Sequence, residues 1–225
     1  MTRGRPVRIR VRRIPGNARY DPDSINRVLD RGRIAHVSFA ADGQQYCIPT
    51  LYARVGDRVL IHGSTASRMI RHLASGAPAC VTVTIFDGWV LARSAFETSA
   101  NYDSVVVFGH FRPITTPNDK LAALEAFMEV VLPGRWAEVR PPSRQELKGT
   151  AILELEIEEA SVKTRTGPPD DDDTPDAERD TWAGVIPITR GYGPPEPSPG
   201  LRTGVSLDAS LEGFVAPDAS VIHNG

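Results

Sequence analysis

The sequence predicts a mainly β (α+β) fold, a small closed or partly split β-barrel with short peripheral helices. Six or seven segments have the period-two alternation or the β-branched composition of strands, and most are joined by turns short enough for antiparallel pairing. Helical patterns lie between groups of strands and do not follow each strand. A doubly wound parallel sheet needs a helix after nearly every strand, so the pattern favours the barrel.

The first half of the chain predicts one helix followed by a three-stranded meander. Asp21-Pro22-Asp23-Ser24 begins the helix, because an Asp N-cap and a Pro at the first helical position both favour initiation, and Gly32 ends it. A hairpin turn at Ala41-Asp42-Gly43 and a tight turn at Val55-Gly56-Asp57 separate the strands. The predicted strands are residues 33–39, 45–54 and 58–62.

The second half predicts three helices among four strands. One helix begins at Ser67 and ends at Gly76, a typical C-cap residue. Thr116-Pro117 begins a longer amphipathic helix, and Ser143-x-x-Glu146 is the capping box of a short one. The predicted strands are residues 79–85, 89–93, 104–111 and 151–162, the first two joined by a turn at 86–88.

Charge and proline content divide the 225-residue chain into three parts. Residues 1–19 form a basic N-terminal arm, with six arginines and no acid in the first thirteen positions. Residues 20–165 form the predicted domain, and residues 166–225 form an acidic extension with nine of the nineteen prolines. That composition predicts irregular chain, partly packed around Trp182. Either both termini are charged for solubility, or the arm contacts the extension within or between subunits.

Composition argues against several classes of protein. A net charge of −2 gives no reason to expect nucleic acid, no apolar run approaches bilayer-spanning length, and no signal-peptide pattern is present. We therefore expect a cytoplasmic protein that does not bind a membrane. Cys47 and Cys80 lie in apolar strand-like segments with no His or Cys partner at metal-ligand spacing, so we expect buried free thiols and no metal site.

The strongest functional signal is residues 59–70, a buried strand that runs into a small-residue turn and then into a helix. The turn offers Gly63, the hydroxyls of Ser64 and Ser67, and the guanidinium of Arg68 where the helix begins. A helix start has unpaired N–H groups and a partial positive charge, so this arrangement suits a phosphate. The chain has neither a P-loop lysine nor a Gly-x-Gly-x-x-Gly fingerprint, so a fold other than the common nucleotide binders would hold that phosphate.

Blocks of residues in a fixed order carry a resemblance to a known family. The blocks are IPTLY (48–52), LIHGS (60–64), SR (67–68), ANYDSVVVFG (100–109), PGRW (133–136) and WAGV (182–185). Together they resemble the flavin-nucleotide-binding branch of the pyridoxamine 5′-phosphate oxidase-like superfamily, which is related to the 5-nitroimidazole-resistance reductases. The similarity covers roughly residues 10–190.

The resemblance implies an FMN-binding split β-barrel that works as a homodimer, with two flavin sites at the subunit interface. It implies an FMN-dependent oxidoreductase that acts on a small organic substrate, with NAD(P)H or oxygen as the other electron-transfer partner. A non-catalytic flavin carrier and a heme- or deazaflavin-binding relative stay open as alternatives, because the fold does not fix the reaction. Pyridoxamine 5′-phosphate oxidation itself is not expected, because the acidic extension lacks the basic C-terminal segment of the true oxidases.

The resemblance also implies a phosphate site and a catalytic residue. Arg68, with Gly63, Ser64 and Ser67, would bind the flavin phosphate, although Ser67 could serve only as an N-cap. His62 would lie at the flavin face and donate to the flavin or relay a proton. The alternative for His62 is a histidine that pairs with backbone at the strand end.

The remaining implied flavin contacts come from other strands. The backbone of Pro49, Thr50 and Leu51 would read the edge of the isoalloxazine ring. Polar or covering contacts would come from four side chains: Tyr102, Ser104, Lys163 and Trp182. For Lys163 the alternative is an exposed cation. For Tyr102 the alternative is an interface pocket, and for Trp182 a position in the core.

Overall fold

The computed structural model describes residues 6–215, so Arg3 and Arg5 of the basic arm and residues 216–225 of the extension lie outside the described residues. The strands are β1 (Ala18–Arg19), β2 (Ile34–Ala41), β3 (Gln44–Leu51), β4 (Ala53–Val55), β5 (Arg58–Ser64), β6 (Pro78–Leu91), β7 (Ser99–His110), β8 (Arg112–Ile114), β9 (Thr150–Glu156), β10 (Glu159–Arg165) and β11 (Gly184–Pro187). The helices are α1 (Pro22–Arg31), α2 (Arg68–Ala74), α3 (Pro117–Val131), α4 (Arg135–Glu138), α5 (Arg144–Gly149) and α6 (Ala209–Val215).

The strands form two antiparallel sheets. A seven-stranded sheet has the order β1-β10-β7-β6-β2-β3, with β11 also paired to β6, and a four-stranded sheet has the order β4-β5-β9-β8. The main apolar core lies between them, with Val37, Val81 and Val107 from the large sheet and Ile61 and Leu153 from the small one. The sheets do not close on each other, so the predicted mainly β split barrel with short peripheral helices is confirmed, in its open form.

Two strands that the sequence predicted as single are each divided between the sheets. The predicted strand 45–54 breaks at Tyr52 into β3 and β4, and the predicted strand 151–162 breaks after Glu156 into β9 and β10. At the first break the buried Tyr52 side chain donates a hydrogen bond to the carbonyl of Leu29 at the end of α1. The alternation breaks at both corners, since Tyr52 and Ala53 are consecutive buried residues and Glu158 and Glu159 are consecutive acids. These breaks were not used in the sequence prediction, which therefore treated each pair as one strand.

The opposite error occurs in β6. The sequence predicted two strands and a turn at residues 86–88, whereas β6 is continuous and carries a bulge between Phe86 and Gly88. Gly88 has φ +156°, and a Cβ there would lie 2.5 Å from the carbonyl oxygen of Ile186 on β11. The glycine therefore marks the close approach of a strand and not a chain reversal. The first residues of β7 and the whole of β8 were not predicted.

The predicted helix starts are confirmed, and so are the predicted turns at residues 41–43 and 55–57. Asp21 and Thr116 cap α1 and α3 with their side chains, and Ser143 forms the predicted capping box at α5. Asp42 and Gly43 both have positive φ in the two-residue turn between β2 and β3. Between residues 6 and 215, no helix combines the length and apolar character that a membrane crossing requires.

Helix α3 lies on the face of the four-stranded sheet that points away from the main core. Its buried residues Ala123 and Phe127 pack with Leu60 and Ile152 in a second, smaller core. This core covers only part of the helix, because α3 is much longer than the three-residue strands β4 and β8 at the edges of that sheet.

The outer face of the seven-stranded sheet is incompletely covered. Cys47 and Cys80 lie there on either side of Ser38, and both are free thiols. Cys47 is exposed and Cys80 is half-buried, so the prediction of buried thiols is wrong for Cys47, which sits on an edge strand. Burial raises the pKa of the Cys80 thiol.

The C-terminal extension attaches to the body at two described places. Asp171 is 0% exposed and accepts hydrogen bonds from the backbone N–H and the guanidinium of Arg93, at 2.7 and 2.9 Å. Strand β11 then pairs with β6. Much of the segment between β11 and α6 is irregular and exposed.

Candidate functional site

The turn between β5 and α2 has the geometry that the sequence predicted. The Ser67 hydroxyl accepts a hydrogen bond from the Ile70 N–H at 3.4 Å, which confirms the N-cap, and the Ser64 hydroxyl accepts one from the Ala66 N–H at 3.2 Å. Each hydroxyl uses only acceptor capacity in these contacts, so its O–H remains able to donate. Helix α2 has seven residues, so its dipole is short and the side chains dominate anion binding.

Arg68 is exposed and is held by an aromatic ring. Its guanidinium carbon lies 4.3 Å from the centroid of Tyr46, and Tyr46 stacks on Phe39 with 5.2 Å between centroids. Stacking fixes the guanidinium plane and leaves its edge donors accessible. Among the described residues, no carboxylate forms an ion pair with Arg68. The group is therefore a preoriented cation without a charge partner in the described chain.

Strand β3 lies at the edge of the seven-stranded sheet. Pro49 and Leu51 are directed to the outer face, whereas Thr50, opposite the buried Ala35, is directed to the other face. Half of the backbone groups of an edge strand point away from its neighbour. Alternate residues of this stretch thus offer backbone groups on the open edge, although Pro49 has no N–H and the carbonyl of Leu51 accepts from Thr50 Oγ1 at 3.3 Å.

Three predicted flavin contacts lie together on the outer face of the seven-stranded sheet: Tyr102, Ser104 and Lys163. They are far from β3, the edge strand whose Tyr46 stacks on Arg68. Ser104 is opposite Lys163 across β7 and β10, and its hydroxyl donates to the Lys163 carbonyl at 3.2 Å. Tyr102 is opposite Arg165, whose guanidinium donates to the amide oxygen of Asn101 at 2.7 Å. Strand β7 is three strand spacings from β3, about 14 Å. One chain therefore does not bring the two groups into contact.

Trp182 does not occupy a core position. It is 65% exposed, and its ring lies against the backbone of Gly184, 3.0 Å from the position of a Cβ on that residue. The alternative of a core tryptophan is wrong.

His62 is directed to the α3 side of the four-stranded sheet. Its ring contacts Phe127 edge to face, with 4.8 Å between centroids and 82° between planes. His62 is an exposed residue, but desolvation of the ring on the side that contacts Phe127 lowers the pKa of the imidazole, which favours its neutral form. Within residues 6–215, the imidazole of His62 has no hydrogen-bond partner. The alternative of a histidine that pairs with backbone is therefore wrong for this part of the chain.

A cavity of about 520 Å³ opens beside the His62 ring. Its lining residues are Leu51, His62, Leu124, Phe127, Met128, Val131, Leu132, Trp136, Val139, Arg140, Pro142 and Glu146. Arg140 and Glu146 form a bidentate ion pair at 2.7 and 2.8 Å, in which the Arg140 hydrogen bonds and the Ser143 N–H lower the pKa of Glu146 strongly. Sequence reasoning missed this cavity, because the apolar face of an amphipathic helix does not show whether another element covers it.

Across residues 6–215, no cluster of three or more His, Cys, Asp or Glu side chains could hold a metal ion. A cofactor that brings its own ligands to a metal has a different requirement, since one side chain can complete its coordination.

Comparisons with known proteins agree with this architecture. A family model described as pyridoxamine 5′-phosphate oxidase matches residues 21–164. The chain is 38% identical to the flavocytochrome Anf3 from Azotobacter vinelandii, covering 93% of this chain and 97% of that one, with a TM-score of 0.87. It is 40% identical to the FAD and heme binding protein from Mycobacterium smegmatis, covering 88% and 97%, with a TM-score of 0.84.

A more distant likeness supports the fold alone. A candidate 5-nitroimidazole antibiotic resistance protein from Bacteroides thetaiotaomicron is 16% identical, covers 65% of this chain and 85% of its own, and gives a TM-score of 0.55. A search of curated proteins found no match.

Proposed function

We propose that this chain, which belongs to the pyridoxamine 5′-phosphate oxidase family, is a redox protein that binds a flavin nucleotide and a heme. The observation that carries the proposal is the near full-length similarity, at 38% and 40% identity, to a flavocytochrome and to an FAD and heme binding protein. A flavin exchanges hydride or single electrons and a heme iron exchanges single electrons, so the pair suits electron transfer between two-electron and one-electron partners.

The flavin is proposed to bind at the turn before α2. Arg68 is a stacked cation without a carboxylate partner among residues 6–215, and Ser64 and Ser67 keep their O–H donors free, which supports a phosphate there. The isoalloxazine ring is proposed to lie next to that phosphate, along the open edge of β3 at Pro49, Thr50 and Leu51. The sequence predicts FMN, whereas similarity to the FAD and heme binding protein favours FAD. Both flavins contain the ribityl phosphate that Arg68 would bind.

We propose a homodimer that forms through the outer face of the seven-stranded sheet. Ile34 and Leu51 are 48% and 37% exposed on that face, which is unfavourable for a lone chain. Tyr102, Ser104 and Lys163 lie too far across one chain to reach a flavin at its own β3, but a second copy packed on this face could supply them. Light scattering of the wild type and of Ile34→Lys tests this point, and a monomeric wild type would contradict it.

For the reaction we keep the proposal made from the sequence. The protein is an oxidoreductase that transfers electrons between a small organic substrate and NAD(P)H or oxygen. The cytoplasmic location likewise stays a prediction. In this arrangement the protein supplies binding, orientation and exclusion of water, and the cofactors supply the redox chemistry.

An absorption spectrum of the freshly purified protein tests the proposal, with the released flavin identified by chromatography and heme measured as its pyridine complex. We expect flavin bands and a Soret band, with anaerobic NADPH bleaching the flavin. If the protein contains flavin but takes up no heme even after hemin is added, it is a simple flavin-dependent oxidoreductase or a flavin carrier. A protein that takes up neither would overturn the proposal.

A further inference from the structure

We propose that the cavity beside α3 is the heme site, and that the imidazole of His62 is an axial ligand to the heme iron. This inference rests on the proposed function, because it locates the heme which that function requires. It goes further by assigning the cofactor to one cavity and its iron to one side chain.

The walls of the cavity fit a porphyrin. Nine of its twelve lining residues are apolar, and Leu124, Met128 and Val131 present one continuous side of α3. A porphyrin has two large apolar faces that gain free energy when they leave water. Its four ring nitrogens already bind the iron, so the protein needs to add only one or two ligands. A single imidazole in an apolar cavity meets that requirement, although it would be inadequate for a bare metal ion.

The imidazole of His62 is oriented and available. Its edge-to-face contact with Phe127 fixes the plane of the ring, and within residues 6–215 no hydrogen bond or ion pair occupies its nitrogens. A neutral imidazole is the form that binds iron, and the apolar surroundings favour that form.

Two further lining residues have suitable chemistry. The thioether of Met128 is a soft donor that could serve as a second axial ligand from the α3 side. Arg140 lies at the rim with an exposed guanidinium. It could bind a heme propionate while it keeps its ion pair with Glu146.

The same walls fit an isoalloxazine ring poorly. That ring carries several hydrogen-bonding atoms along its polar edge, and burying them without partners is costly. The polar side chains in the cavity are His62 and the mutually paired Arg140 and Glu146. The edge of β3 offers the alternating donors and acceptors that a flavin needs, so the two cofactors separate by chemistry.

The experiment is a hemin titration of the full chain, read by the Soret band and by electron paramagnetic resonance of the ferric protein. His62→Ala is compared with His110→Ala, a matched histidine whose ring contacts the Gly76 carbonyl and does not line this cavity. We expect the wild type and His110→Ala to bind one hemin per chain with the same spectrum. His62→Ala should bind at least about tenfold more weakly, with a shifted Soret band.

Two more variants separate ligation from folding. In His62→Gly, added imidazole should return the spectrum toward that of the wild type, which a purely structural role would not allow. Leu124→Trp keeps His62 but fills the cavity, and should lower hemin uptake.

The outcomes that overturn the inference are distinct from failure of the proposed function. Unchanged affinity and spectrum in His62→Ala, or no response of His62→Gly to imidazole, would overturn the assignment of His62 while the protein remains a heme binder. Unchanged uptake in Leu124→Trp would overturn the choice of cavity. A wild type that binds flavin but no hemin would overturn both the inference and the heme part of the proposed function.

Discussion

The imidazole of His62 and the ring of Phe127 meet edge to face, with 4.8 Å between their centroids. Residue 62 lies near the end of a strand and residue 127 lies in the third turn of a helix, 65 positions later in the chain. Helix α3 therefore fixes the orientation of a side chain on the sheet beneath it, and so couples the smaller core to the candidate cofactor cavity.

Phe127→Ala should destabilise the protein by about 3 kcal/mol, because it removes a buried aromatic side chain and leaves a void between α3 and β5. The free energy of unfolding from denaturant titration measures this effect. Phe96→Ala is the control, since Phe96 is 87% exposed and its loss should change stability by less than about 0.5 kcal/mol. Equal effects of the two substitutions would contradict the packing described for α3.

Arg68→Ala should weaken flavin binding by about 10- to 150-fold, because a charge-assisted hydrogen bond contributes about 1.5–3 kcal/mol. Fluorescence titration of the apoprotein with FMN and with FAD gives the two dissociation constants. Arg71→Ala, on the same short helix, should have a smaller effect. The phosphate assignment is wrong if Arg68→Ala binds flavin as tightly as the wild type.

Asp103 should make stability depend on pH below about 4. The carboxylate is buried and accepts hydrogen bonds from Arg27 at 2.6 Å, Arg31 at 2.5 Å and Thr164 at 2.6 Å. Burial by itself would raise the pKa of Asp103, but these hydrogen bonds and the two positive charges outweigh it and hold the pKa below its ordinary value. The folded state therefore binds this proton less readily than the unfolded state does.

The sign follows from that lowered pKa. The stabilisation from Asp103 is fully present above the unfolded pKa of about 3.9 and is lost as the pH falls through the lower folded value. At neutral pH, Asp103→Asn should cost about 2 kcal/mol, and the difference from the wild type should shrink as the pH approaches 2. Denaturant titrations across that range measure it, with Asp173→Asn, an exposed site, as the control. A pH-independent difference would count against the lowered pKa.

Asp171→Ala should release the start of the C-terminal extension, because it leaves the half-buried Arg93 N–H without its acceptor. We expect a loss of about 2–3 kcal/mol in local stability, seen as faster hydrogen exchange in residues 166–187. Asp172→Ala is the matched control, since Asp172 is largely exposed and accepts a hydrogen bond only from the Arg93 guanidinium, not from the backbone N–H. Identical exchange in both variants would show that β11 alone attaches the extension.

The sequence by itself determined the features that depend on near neighbours in the chain. Asp21, Thr116 and Ser143 cap their helices because a side-chain oxygen meets an N–H group two or three residues later, and Asp42-Gly43 reverses the chain through its own dihedral angles. The stretch from β5 to α2 was predictable for the same reason, and so was the mainly β class.

Only the tertiary structure decided which sheet each strand joins and what lies between the elements. At the corner between β3 and β4, the Tyr52 side chain is fixed by its hydrogen bond to the distant Leu29 carbonyl, and the corner after Glu156 is where the chain passes from one sheet to the other. The orientation of His62 toward α3, the stacking of Arg68 on Tyr46 and the cavity between His62 and α3 also depend on contacts between distant residues. Burial is a property of three-dimensional neighbours, and a one-dimensional pattern records only that a residue is apolar, not which surface covers it.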